Sequence, residues 1–195
     1  AVLIIGSCLL FRNSAAADPN HPGAAGDLPN DYKSFFDNYF TANEEAEECT
    51  IPTVQTTERV TVKLSPAGKT PLSAQEVYER CVPSIVAVSA FPDETSEDSY
   101  YWGSGVVLTE DGYILTNSHV VEGTCRARIT LWDDTEYDAL LVGYDHRTDI
   151  AVLKIDAHGL TPAEFTSTDS LLVGDAVYAI GNPLGKEFRS TMTEG

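Results

Sequence analysis

Basic side chains are scarce in this sequence. Twelve Lys and Arg stand against 30 Asp and Glu, giving a formal net charge of −18 over 195 residues. A surface of that sign repels phosphate backbones and anionic headgroups, which argues against nucleic acid as a partner and leaves the N-terminal segment as the sole route to a membrane. Much of the negative charge is grouped as Glu44, Glu45, Glu47 and Glu48 and as Asp93, Glu94, Glu97 and Asp98, runs that read as solvated loops. Cysteines number four, Cys8, Cys49, Cys81 and Cys125, with no CxxC pair and no zinc-type spacing to histidine, so no metal is expected. In an exported protein a disulfide between two of the last three is allowed, and the sequence does not choose among them. A phosphate loop is missing too. Gly181-Asn182-Pro183-Leu184-Gly185 lacks the Lys and Ser/Thr that such a loop needs, and it reads as a tight turn.

Long apolar runs are confined to residues 1–11, AVLIIGSCLLF, which are too few to span a bilayer. A polar stretch rich in Pro, Ala and Gly follows, the context of an export signal, so 1–11 is read as the end of a signal peptide or membrane anchor and the protein as extracytoplasmic. Ile5-Gly6-Ser7-Cys8 also loosely resembles a lipoprotein processing site. With Ala1 inside an apolar run and no initiating methionine, the chain is expected to be a fragment of a longer polypeptide.

Sustained periodicity is absent from 12–71, which reads as a flexible acidic linker. Phe35, Phe36, Tyr39 and Phe40 interrupt it, spaced to share one side of a short helix. Ser73-Ala74-Gln75-Glu76 then forms a capping-box pattern, and the helix it starts should end near Cys81, because Pro83 cannot continue it.

Beyond this point the pattern is one of short strands rich in β-branched residues: 84–90, 105–108, 113–116, 126–132, 137–144, 150–155 and 176–180. Asp111-Gly112 is a hairpin signal of the type I′ kind, and 133–135 and 145–148 mark further turns. No amphipathic helix separates these strands, so an antiparallel barrel or sandwich is expected in place of βαβ units.

Two residues carry chemistry. His119 ends the strand run YILTNSH, and Asp149 stands thirty residues on, directly before IAVLKI. Two strands and their turns lie between them, enough for the chain to run out and back and bring them together. A carboxylate at the buried end of a strand needs a partner, and an imidazole N–H is a suitable one.

Three blocks, GSGVVLTEDGYILTNSHVVEG, HRTDIAVLKI and VGDAVYAIGNPLG followed by STMTEG, resemble in order and spacing the high-temperature-requirement (HtrA/Deg) family of trypsin-like serine proteases. The resemblance covers 72–195. It implies an all-β fold, with an antiparallel six-stranded first barrel over 72–168 holding the histidine and aspartate of the triad, and the start of a second, truncated barrel over 169–195. It implies His119 as general base and Asp149 as its orienting carboxylate. The family's Gly-Asn-Ser-Gly-Gly block is missing, and no GxSxG replaces it, so the nucleophile serine is expected outside this chain. Gly103-Ser104-Gly105 reads as a strand start that permits close packing. Ser118 is expected to face away from His119 across a strand, and neither serine is a nucleophile candidate. The resemblance further implies a serine endopeptidase acting on unfolded or damaged cell-envelope proteins, PDZ modules downstream, trimers or larger assemblies, and no cofactor. The alternative is a non-catalytic, protease-like chaperone or binding module on the same barrel.

Overall fold

Strand alternation sends every second side chain of six short segments to one side, and closing those segments into a cylinder removes their edges. The computed structural model describes residues 49–56, 60–62, 64–65, 72–95, 100–167, 172–173, 175–182 and 190–195. The apolar segment at 1–11 and the aromatic group at 35–40 lie outside the described residues. Strands β1 (Ile85–Phe91), β2 (Tyr101–Val107), β3 (Tyr113–Thr116), β4 (Arg126–Thr130), β5 (Glu136–Asp145) and β6 (Ile150–Ile155) form a closed barrel in the order β1-β2-β3-β6-β5-β4, every pairing antiparallel. A two-stranded sheet of β7 (Tyr178–Gly181) and β8 (Thr191–Glu194) follows. The all-β fold with a six-stranded barrel is therefore as expected.

The interior is filled by Val86 and Val88 of β1, Val107 of β2, Ile114 of β3, Ile129 of β4, and Leu153 and Ile155 of β6, all buried to 1% exposure or less. β1 is buried along its whole length because its other face is covered as well. Ile85 packs there with Val106, Ile180 and Met192, joining the barrel's outside to the β7–β8 sheet.

Helix α1 (Ala74–Cys81) starts as its sequence dictates. The Ser73 hydroxyl accepts the Glu76 amide, and the Glu76 carboxylate accepts the Ser73 amide at 2.7 Å. Pro83 falls in the tight 3₁₀ turn Val82–Ser84 that delivers the chain into β1. Among the described residues no helix is long and apolar enough to cross a membrane.

Two features depart from the expectations. The turn at Asp111-Gly112 is not type I′, since only Gly112 has positive φ (102°) and its amide closes a turn back onto the Thr109 carbonyl. A Cβ at Gly112 would run into the Ile155 carbonyl oxygen, so the glycine is required by close approach as well as by φ. Residues 49–56, read as part of the linker, lie on the barrel. Ile51 is 1% exposed and joins the core, Pro52 and Val54 exchange backbone hydrogen bonds with Leu141, and Cys49 is disulfide-bonded to Cys125. Cys81 is the free thiol among the described cysteines.

Candidate active site

The chain leaves β3 at Thr116 and makes a single helical turn, α2 (Ser118–Val121), instead of continuing as a strand. Asn117 stands at its N-cap but makes no side-chain cap. Its carboxamide reaches instead to Asp149, donating from Nδ2 to the Asp149 carbonyl (3.2 Å) and carboxylate (3.0 Å). Val120 is fully buried and anchors the turn. A Cβ on Gly103 of β2 would come within 2.7 Å of both Val120 methyls, so the absent side chain at Gly103 is what lets the turn sit flat on the barrel.

Asp149 arrives from the other side. The turn after β5 is shaped by Asp145, whose carboxylate accepts the Arg147 amide (2.9 Å) and the Thr148 hydroxyl (3.0 Å). The next residue, Asp149, has φ +54°, a left-handed conformation that aspartate tolerates better than most residues.

The two segments meet at one carboxylate. Asp149 Oδ2 lies 2.7 Å from His119 Nδ1, while Oδ1 accepts the His119 backbone amide and the Ser118 hydroxyl, each at 3.1 Å. The structure therefore brings together the two residues singled out by sequence. The carboxylate itself is not deeply buried. The Asp149 side chain is 43% exposed and that of His119 is 22% exposed. Burial works to raise the Asp149 carboxyl, but the hydrogen bonds from the His119 amide and ring, the charge of that ring and the Ser118 hydroxyl outweigh it, and the net shift is downward.

This arrangement fixes a tautomer. An anionic acceptor on Nδ1 keeps the proton there and leaves Nε2 with the lone pair, the form of imidazole that removes a proton from a hydroxyl. The carboxylate also stabilises the imidazolium that results.

Ser118 does not face away from His119, because the local backbone is helical and its hydroxyl shares the same carboxylate. That role, like Asn117's, is missed by sequence reasoning that takes YILTNSH as one strand. An Asn before Ser-His-Val-Val was the available signal, since Asn favours helix N-caps. Gly103-Ser104-Gly105 lies within β2 as a close-packed segment. Asn182, placed by sequence in a simple turn, is 2% exposed and bonded to the barrel. His146 approaches Glu122 at 3.4 Å, His158 is exposed, and His21 lies outside the described residues. Among the described residues no group of three or more His, Cys, Asp or Glu is arranged to hold a metal ion.

Comparison with known proteins adds an independent line. Residues 103–195 match the trypsin-like peptidase domain family. The chain is 41% identical over 138 residues to the serine protease Do-like HtrA of Bacillus subtilis strain 168, a match covering 68% of this chain and 29% of that protein. It is 45% identical over 93 residues to a probable periplasmic serine endoprotease, DegP-like, of Chlamydia trachomatis, covering 48% of this chain and 18% of that one. Among solved structures, the serine endoprotease from Yersinia pestis superposes with a TM-score of 0.56 at 36% identity, over 65% of this chain and 44% of that chain. The chain spans less than a third of the length of these two curated relatives.

Proposed function

Since the chain belongs to the HtrA/Deg family of trypsin-like serine proteases, we propose that it supplies the base half of a serine endopeptidase site. His119 is the general base and Asp149 the carboxylate that fixes its tautomer, and the nucleophile is a serine outside residues 1–195. The observation that carries the reading is the 2.7 Å contact between His119 Nδ1 and Asp149 Oδ2, with the His119 amide held by the other carboxylate oxygen. A serine hydroxyl is a poor nucleophile until such an imidazole takes its proton, and the same imidazole then returns that proton to the leaving amine.

The substrates in this reading are unfolded or damaged proteins of the cell envelope, and the working assembly is a trimer or larger. An extracytoplasmic site of action accords with the periplasmic designation of the Chlamydia relative and with the Cys49–Cys125 disulfide, a bond that persists in oxidising compartments. Residues 1–11 serve as the export signal or membrane anchor. Neither a cofactor nor nucleic acid takes part.

The test is labelling by a fluorophosphonate probe, which reacts with activated serines. The polypeptide that continues this chain through its second barrel should be labelled and should cleave casein. The 195-residue chain should do neither, because loss of the nucleophile costs a triad on the order of 10⁶ in rate. An unlabelled long form that still suppresses aggregation of unfolded proteins would replace this reading with the binding-module alternative.

A further inference from the structure

Asn182, the residue after β7, is 2% exposed, and its polar groups are committed in three directions. Its backbone amide donates to Ser104 Oγ at 2.8 Å, its Nδ2 donates to the Val86 carbonyl at 2.8 Å, and its Oδ1 accepts the Ser190 amide at 2.9 Å. Val86 and Ser104 belong to the neighbouring barrel strands β1 and β2, whereas Ser190 leads into β8. One residue thus ties both arms of the β7–β8 sheet to the barrel. The apolar cluster of Ile85, Val106, Ile180 and Met192 joins the same surfaces. Apolar contact is non-directional and tolerates sliding, but a buried amide with fixed partners does not.

The connection continues past Ser104. Its carbonyl accepts the Thr116 hydroxyl at 2.8 Å, and Thr116 is itself 2% exposed. Thr116 directly precedes Asn117, which holds Asp149, and the adjoining Gly103 carries Val120 of α2. The 103–104 stretch of β2 therefore touches the second sheet on one side and the His119 turn on the other.

We propose that Asn182 and Ser104 are positioning residues that set the His119–Asp149 pair in register with the second barrel. The proposal rests on the endopeptidase reading, in which the nucleophile comes from that barrel and its distance to His119 depends on how the two barrels dock. A misplacement of about 1 Å at such a site costs as much as ~10²-fold in rate, so a directional strut here acts on the chemistry without touching substrate.

Two readouts keep this inference separable from the reading beneath it. In the 195-residue chain, amide hydrogen exchange of 117–121 should quicken about tenfold or more in Ser104→Ala and in Asn182→Ala, a coupling of ordinary size. A matched core variant, Ile129→Val, should leave that turn unchanged relative to global stability. In the long form, both strut variants should lower kcat about tenfold with KM within about twofold, and the double variant should cost less than the product of the single losses, because Ser104→Ala removes the acceptor of the Asn182 amide and Asn182→Ala the bonds to Val86 and Ser190 within one connected network. Ser104→Thr, which keeps a hydroxyl, should restore kcat. Turn exchange indistinguishable from Ile129→Val, or additive losses that fall on KM, would overturn the proposal. Quickened exchange in a long form without turnover would uphold the strut and sink the endopeptidase reading alone.

Discussion

The Asp149 carboxylate grips His119 twice, taking the ring Nδ1 on one oxygen at 2.7 Å and the backbone amide on the other at 3.1 Å. A single contact would leave the ring free to rotate about its side-chain bonds. The second bond fixes the turn from which the ring projects, so tautomer and orientation are set by the same group. Asp149→Asn should preserve this shape and reverse the tautomer. Turnover of the long form should then fall about 10⁴-fold, the loss typical of a triad deprived of its carboxylate, and unchanged thermal unfolding would show that the fold survives.

Ser118 supports the same carboxylate and gives a pH prediction. The Asp149 pKa is lowered in the folded chain, so its contribution to stability is fully present above the unfolded carboxyl value, about 3.9, and is lost as pH falls through the folded value. Ser118→Ala removes one of the bonds that lower it. Urea midpoints measured from pH 7 to pH 2.5 should show a deficit for the variant that is steady above about pH 5 and closes in the acid range. A deficit that persists unchanged at pH 2.5 would mean the hydroxyl acts through packing alone.

Cys49 and Cys125 are 76 residues apart in sequence, and in the chain-entropy model a loop of that size is worth about 4 kcal/mol. Cys49→Ser should lower the urea midpoint markedly, and Cys81→Ser, which removes the half-buried free thiol, should move it little. Equal effects would show that the disulfide does not anchor the 49–56 segment.

Gly103→Ala tests the seating of the turn that carries His119. With Val120 methyls 2.7 Å from the added Cβ, the helical turn must shift, and kcat of the long form should fall about tenfold or more while the barrel still folds. Full activity would show that the turn absorbs the methyl without moving His119.

Much of this was written in the local sequence. Strands β3 and β6 match 113–116 and 150–155 residue for residue, because short apolar runs with β-branched residues are bounded there by turn residues, and the capping box at Ser73 and Glu76 appears bond for bond. Where the outcome depended on contacts distant in sequence, the reading fell short. Nothing around Ile51 shows that it fills a gap beside Leu141, so 49–56 looked like linker. The helical turn at 118–121 is imposed by Asp149, thirty residues away, and strand propensity alone extends β3 through His119. Asn182 sits in a sequence that reads as a turn, and its burial depends on the Val86 carbonyl, which is 96 positions distant.

The most direct test of the central claim is the effect of His119→Ala on turnover of an unfolded protein by the long form, measured together with its melting temperature. The imidazole as general base predicts a loss of kcat on the order of 10⁵ to 10⁶ with the melting temperature nearly unchanged. Turnover within about tenfold of the parent, or a collapse of the fold on losing the ring, would contradict it.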